Sequence, residues 1–386
     1  MLLKNMTIAI VGGGPGGLTL ARLLQLKGAN VKVYERDFNQ DARLIGSPLD
    51  LHDESGLAAL RQANLLEAFK KNYRPGADKL IISNEAADIL FSDHETKPEE
   101  DFGNEHFRPE IDRGPFRNML LESLQPKTVI WDSYFISMEK EKQGWLLHFK
   151  NGNNAYADVV IAADGANSKV RAYITDIKPF YSGITMLEGT VHDAAKSAPQ
   201  TLALLSGGKI MAFGNKKNIL MGQKANNEIG FYASFKSEEN WAVDSGLDFS
   251  NNKEISSWFK KEYAEWSDIW LELFENSATP FIPRSIYCMP LAQDWKALPN
   301  VTMLGDAAHV MPPFAGEGVN MAMLDALELS ESLTSDKFNT LQEAISFYEI
   351  NMRKRAAIAA QESLENGERM HSKDALNTML GFFNQH

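Results

Sequence analysis

The spacing of apolar side chains changes period along this chain, and each change marks a new kind of element. Thr7-Ile8-Ala9-Ile10-Val11 is a short unbroken apolar run, the pattern of a strand covered on both faces. Leu18, Ala21 and Leu24 follow at helical spacing, Gly28 ends that helix, and Val31-Lys32-Val33-Tyr34 is the next strand. Buried-strand runs return at residues 158–163 and 301–304. Strands of this type separated by helices build a parallel sheet. Residues 57–69 read as one amphipathic helix carrying Leu60, Leu65, Leu66 and Phe69. Residues 115–124 read as another, with Pro115 in its first turn. Residues 80–82 and 89–91 suggest a hairpin, and residues 135–138 and 145–149 a second, with His148 on its surface.

From residue 180 to about 287 the pattern shifts to short alternating runs at 184–191, 201–205, 209–213, 218–221 and 229–235. Each is predicted to be a strand of an antiparallel sheet, with residues 258–274 as one or two aromatic-rich helices. A long helix starts after Asn339-Thr340, where Glu343 completes a capping pattern. It carries Leu341, Ile345, Tyr348 and Met352 on one face and runs to about residue 366. The tail, 375–386, holds Leu376, Met379, Leu380, Phe382 and Phe383, which should pack against something. The predicted fold is therefore α/β joined to α+β. A three-layer, Rossmann-like cofactor domain takes residues 1–73, 106–178 and 288–332. An inserted antiparallel-sheet substrate domain takes 74–105 and 179–287, and 333–386 form a bracing helix and tail.

A length of 386 residues allows two such domains. The net charge of −12, from 39 basic and 51 acidic residues, argues against nucleic acid and anionic membrane as partners. Cys288 is the only cysteine, so neither an intramolecular disulfide nor a cysteine-built metal site is expected, which suits a reducing cytoplasm. The first strand follows the N-terminus so closely that no signal peptide is expected. No apolar run reaches the roughly 18 residues of a membrane span. A cytoplasmic monomer without a metal is the expectation.

The chemistry concentrates in three places. Gly12-Gly13-Gly14-Pro15-Gly16-Gly17 holds glycines 12, 14 and 17 in G-x-G-x-x-G spacing between a strand and a helix, and Glu35 ends the next strand. This is a dinucleotide-binding unit. Gly12 allows the tight turn, Gly14 removes a side chain that would block the pyrophosphate, and Gly17 lets helix and strand pack closely. The helix N-terminus offers free N–H groups to the phosphates. Glu35 can accept the adenosine ribose hydroxyls and repels a 2′-phosphate, so FAD or NAD fits this unit and NADP does not. Asp164-Gly165 ends the strand at 158–163, the crevice position of an open α/β sheet, and Ser168-Lys169-Val170-Arg171 begins the return helix. Gly305-Asp306-Ala307-Ala308-His309 ends the strand at 301–304 and leads into Met311-Pro312-Pro313-Phe314-Ala315-Gly316-Glu317-Gly318-Val319-Asn320. Pro312, Pro313 and Gly316 suit a rigid backbone that approaches a ligand closely. Arg43 reads equally as a cofactor contact or a solvated arginine, and Arg117 as a helix flank or a cofactor neighbour. His309 reads as a packing residue rather than a base. Lys209, Met211, Phe213, Met221 and Phe231 either line a pocket or form core. No G-x-S-x-G or H-E-x-x-H motif supports a hydrolase.

These three signatures, in this order, resemble the class A flavoprotein monooxygenases, the single-component aromatic hydroxylases. Within that family the chain is most similar to the tetracycline-inactivating monooxygenases. The shared text includes Tyr34-Glu35-Arg36-Asp37, Asp41-Ala42-Arg43, Leu49-Asp50-Leu51-His52, Thr128-Val129-Ile130-Trp131-Asp132 and residues 305–316. The resemblance implies bound FAD, contacted by Gly12, Gly14, Pro15, Gly17, Glu35, Arg36, Arg43, Arg117, Asp164, Gly165, Gly305 and Asp306. Pro313, Gly316, Gly318, Val319 and Asn320 would border the isoalloxazine. It implies NADPH, or NADH, as a transient reductant and O₂ as co-substrate. The flavin carries the chemistry, so no side chain is expected to be catalytic. A substrate lining of Met186, Glu188, Lys209, Met211, Phe213, Met221, Phe231, Phe314 and Met370 is implied, with Phe314 over the flavin. That lining departs from the tetracycline enzymes: Met186 and Glu188 stand where they have asparagine and glutamine, Lys209 for an arginine, and Gly230 for a histidine. Glu188 and Lys209 either compensate each other in the cavity or sit outside it. Tetracycline is the leading substrate, and another aromatic or polyketide compound is the alternative. A non-catalytic flavin-binding protein and an NAD-dependent dehydrogenase are the readings of other classes.

Overall fold

The computed structural model describes residues 2–42 and 48–383. Five parallel strands form the cofactor sheet, in the order Val301–Met303, Val159–Ala162, Thr7–Val11, Asn30–Tyr34 and Val129–Ile130. The Thr7–Val11 strand is central because its apolar residues are covered on both faces: Ile8, Ala9, Ile10 and Val11 are at most 2 % exposed. Helices Pro15–Leu26 and Gly318–Thr334 pack together as one layer. A three-stranded antiparallel sheet (Phe135–Glu141, Gly144–Phe149, Asn154–Ala157) supplies another, and all share one core.

The inserted domain is a seven-stranded sheet, ordered Ile282–Cys288, Phe180–Val191, Ile229–Lys236, Lys217–Gln223, Lys209–Gly214, Leu80–Asn84 and Ile89–Ser92. Its pairings are antiparallel except that of Lys209–Gly214 with Leu80–Asn84, which is parallel. One face carries Leu187, Ile210, Ala212, Ile219 and Ala233 against Phe259, Trp270 and Phe274 of the covering helices. The other carries Ile184, Met186, Met211, Phe213, Leu220 and Tyr232 and faces Phe314 of the cofactor domain.

The capping pattern before the long helix is realised. Thr340 Oγ1 accepts from the Glu343 N–H at 3.2 Å, and Glu343 Oε2 from the Asn339 N–H at 2.9 Å. The helix runs from Leu341 to Met370, 30 residues, beyond the expected end. Ala344, Ile345, Tyr348 and Met352 join the cofactor-domain core, while Met370 packs with Leu80, Ile82 and Phe213 of the inserted sheet. The last helix, Ala375–Phe383, packs Leu376, Met379, Leu380 and Phe383 on that same patch, which gives these tail residues their partner, while Phe382, expected to pack with them, stays exposed. Among the described residues, no helix is long and apolar enough to cross a membrane.

Three local expectations fail. Residues 57–69 are not one helix: Asn64, at φ +57°, separates Ala58–Gln62 from Leu66–Lys70. Residues 201–205 belong to a helix, Pro199–Leu205, rather than a strand. Pro199 opens its first turn, Thr201 and Leu205 bury one face four residues apart, and Thr201 Oγ1 is tied to Glu272 Oε2 at 3.1 Å. Residues 168–171 form no return α-helix, only a turn leading into the 3₁₀ segment Arg171–Tyr173.

Candidate active site

The glycine loop is fixed by close backbone contacts. A Cβ on Gly12 (φ +109°) would lie 2.2 Å from the Ala163 carbonyl oxygen, and one on Gly17 would lie 2.2 Å from the Gly12 carbonyl oxygen. A Cβ on Gly14 would meet nothing within 4 Å. Gly12 and Gly17 are therefore glycines for the fold, while Gly14 leaves space on the open side of the loop. Gly14 is the N-cap of helix Pro15–Leu26 and offers it no side-chain cap. Glu35, 2 % exposed, accepts the Gly13 N–H at 2.6 Å and the Asp37 N–H at 3.0 Å, which aligns its carboxylate with the loop. Arg36 is exposed beside it. Arg117 reaches Asp37 Oδ2 at 2.9 Å and stacks on Trp131, so it borders the same end of the sheet. Arg43 lies outside the described residues.

Asp164 Oδ2 accepts the N–H of Lys169 at 2.9 Å, while its Oδ1 is buried without a partner. Burial pushes this carboxyl up, against those backbone N–H bonds. Gly165 follows at φ +81°, a conformation that favours glycine. Asp306, exposed, follows Gly305, which sits at φ +57°. Two buried groups that sequence reasoning missed join these turns. Arg171 donates to the carbonyls of Ala166 (2.9 Å), Asp306 (2.9 Å) and Ala307 (2.6 Å). Asp325, 1 % exposed, accepts the Gly305 N–H at 2.9 Å, His309 Nε2 at 2.6 Å and Arg355 Nη2 at 2.7 Å. Burial alone would lower the His309 imidazole, but Asp325 outweighs it and raises it. His309 is thus a buried structural partner, in line with a packing role. No local motif marks Arg171 or Asp325, because their partners lie far along the chain.

Pro313 and Phe314 sit on the turn before helix Gly318–Thr334, whose N-terminus has no side-chain cap. Gly316 is left-handed (φ +70°), and a Cβ on Gly318 would meet nothing within 4 Å. Val319 is half-buried there, and Asn320, fully buried, donates to the carbonyls of Asp50 and Gly316. The FAD molecule fits this set: two uncapped helix starts for its negative groups, an open Gly14, and an orphaned Asp164 oxygen for a hydroxyl.

The inward face of the inserted sheet corrects several expectations. Met221 and Phe231 point to the opposite side of the sheet, into the core with Phe274 and Phe281. Side chains alternate along a strand, so Leu220 and Tyr232 occupy the face expected of them. Glu188 and Lys209 do not compensate each other. Glu188 is ion-paired with Arg284, and Lys209 Nζ lies 2.8 Å from Glu110 Oε1. Met186, Met211, Phe213 and Phe314 do share the inward face, with Met370 buried beneath it. Against Met370 lies a second missed cluster. His371 Nε2 is 2.6 Å from Ser234 Oγ and 3.2 Å from Asn218 Nδ2, and Asn218 Oδ1 has no partner. A cavity of about 390 Å³, lined by Ser182, Ile184, Pro312, Phe314, Leu364 and Gly367 among others, opens beside Phe314.

Comparison with known proteins agrees with this geometry. A family model described as an FAD binding domain matches residues 137–362, more than half of the chain. One described as an NAD(P)-binding Rossmann-like domain matches residues 10–38. Monooxygenase asqM of Emericella nidulans is 27 % identical over 381 residues, covering 86 % of this chain and 84 % of that protein. A Photorhabdus luminescens structure assigned as an FAD-containing monooxygenase is 26 % identical, with a TM-score of 0.77 over 95 % of this chain and 98 % of that one. Tetracycline destructase Tet(51) shares the fold, with a TM-score of 0.72 at 18 % identity over 98 % of this chain and 95 % of that one. The expected special closeness to the tetracycline enzymes is therefore replaced by a broader kinship: the chain belongs to the FAD-binding family of class A FAD-dependent aromatic monooxygenases.

Proposed function

We propose that this flavin-dependent monooxygenase inserts one oxygen atom from O₂ into an uncharged, electron-rich aromatic or heteroaromatic compound, with NADPH or NADH as the transient reductant. The observation that carries this reading is the inward face of the inserted sheet. Ile184, Met186, Leu220, Tyr232 and Ile286 present an apolar surface to Phe314. The charged groups at its margins and along the cavity are paired: Glu188 with Arg284, Lys209 with Glu110, Glu368 with Lys236 and Arg369 with Glu365. Such a surface binds a flat apolar ring by area and by ring contact. Among the described residues it holds no unpaired charge for a zwitterion, so another aromatic or polyketide compound is a better substrate than tetracycline.

The cofactor set is proposed as Gly12, Gly14, Pro15, Gly17, Glu35, Arg36, Arg117, Asp164, Gly165, Gly305 and Asp306, with Pro313, Gly316, Gly318, Val319 and Asn320 at the ring end. Bound FAD supplies the oxygen-activating chemistry. The chain's task is to hold the reacting carbon in line and to keep water away, which the sheet and Phe314 do by enclosure. The test is aerobic NADPH and NADH oxidation by the holoenzyme over a panel of phenols, hydroxypyridines, polyketides and tetracycline, with products read by mass spectrometry. A neutral phenol or heteroaromatic that gains one oxygen supports the proposal. Turnover of tetracycline alone would overturn the substrate assignment.

A further inference from the structure

Helix Gly318–Thr334 begins without a side-chain cap, and its N-cap residue is Glu317. A carboxylate at that position can reach back to the first free N–H groups and is drawn to them by the helix dipole. It does not do so here. Glu317 Oε1 lies 3.3 Å from His52 Nδ1, an ion-pair contact rather than an aligned hydrogen bond. The other imidazole nitrogen, Nε2, lies 3.3 Å from Asp50 Oδ2. His52 is 5 % exposed, and its backbone N–H is held 2.9 Å from Asn320 Oδ1, on the same helix start. The other charges nearby are occupied: Asp53 by Arg61, Glu54 by Arg108 at 3.7 Å, and Lys209, beyond Asp50, by Glu110. Burial alone would lower the His52 imidazole, but Asp50 and Glu317 outweigh it and raise it from 6.5 to about 9.

We propose that His52 is a positioning residue for FAD: it holds the Glu317 carboxylate away from the N-terminus of helix Gly318–Thr334, leaving those N–H groups open to the cofactor. The inference rests on FAD lying at this turn. Without His52, Glu317 is free to fold onto the donors that the cofactor needs, and its uncompensated charge opposes the negative charge a flavin gains on reduction. With His52 in place, an imidazolium shared with Asp50 offsets the Glu317 charge, and the direction of the carboxylate is fixed.

The test is FAD affinity, measured by dialysis of the holoenzyme with flavin fluorescence as the readout. His52→Gln should weaken binding about tenfold, and His52→Gln with Glu317→Gln should recover most of that loss. A residue that merely supports the fold would give no such rescue. Wild-type affinity should fall as the pH rises through about 9, where His52 loses its proton. In Glu317→Gln that fall should vanish. Wild-type affinity in His52→Gln, or a double variant as weak as the single one, overturns the proposal. Where His52→Gln does not fold, an unchanged pH-dependent fall in Glu317→Gln overturns it instead. A wild-type chain that neither retains nor takes up FAD contradicts the cofactor reading itself, a separate outcome.

Discussion

At the scale of single residues, the site separates glycines that serve the fold from those that serve the ligand. Gly17→Ala places a Cβ against the Gly12 carbonyl and should lower thermal stability, because backbone on both sides must shift. The Cβ of Gly14→Val meets no protein atom within 4 Å, so this variant should fold normally and yet purify with little flavin. Equal melting temperatures for these two variants, or a full flavin complement in Gly14→Val, would refute the distinction. Asp325 carries a different burden. It is a buried carboxylate shared by His309, Arg355 and the Gly305 N–H. Asp325→Asn leaves His309 and Arg355 with a weakened partner and should cost about 3–5 kcal/mol in urea unfolding. A loss under about 1 kcal/mol would mean that these bonds are not made in solution.

Elements rather than residues decide the substrate face, because one step along a strand reverses the side a residue faces. Met221→Gln buries an amide among Phe231, Phe274 and Ile219 and should destabilise by about 2–4 kcal/mol. Leu220→Gln lies on the inward face and should raise the substrate KM with a smaller stability loss. The reverse pattern would contradict the strand register. This parity was not legible in the sequence, since Met221 and Phe231 are as apolar as Leu220 and Tyr232. Three of the five parallel strands, Thr7–Val11, Val159–Ala162 and Val301–Met303, were legible because they are almost wholly apolar and each leads into a glycine or Asp-Gly signature. The helix at 199–205 was missed because five residues fit both periods, and only its packing on Glu272 and Ile269 decides between them. The charge clusters at His52, Arg171 and Asp325 were missed for another reason: each closes across a hundred residues or, for Asp325, across three separate helices. The His52 turn also has a pH signature. A folded value raised from 6.5 to about 9 adds stability that is full below about 6.5 and lost as pH rises through about 9. Urea unfolding across that window should show this loss in the wild type and not in His52→Gln.

At the scale of the whole molecule, the helix Leu341–Met370 couples the two domains. Its first turns lie in the cofactor core, Ser363 Oγ donates to the Pro312 carbonyl, Asn366 Nδ2 lies 3.3 Å from the Phe314 carbonyl, and its end lies under the inserted sheet. The proposed substrate wall and the proposed flavin-side turn are thus held by one element. The final helix closes the sheet patch around Leu80, Ile82 and Phe213. Removing residues 375–386 should lower the melting temperature while FAD is retained, since no cofactor contact is assigned there. The account as a whole is tested most directly by isotopically labelled O₂. The yellow holoenzyme, given NADPH and a neutral phenol or hydroxypyridine that stimulates NADPH oxidation, should yield a product carrying one labelled oxygen atom. A colourless protein, or an oxidation that yields only hydrogen peroxide or label-free product across the whole aromatic panel, would contradict it.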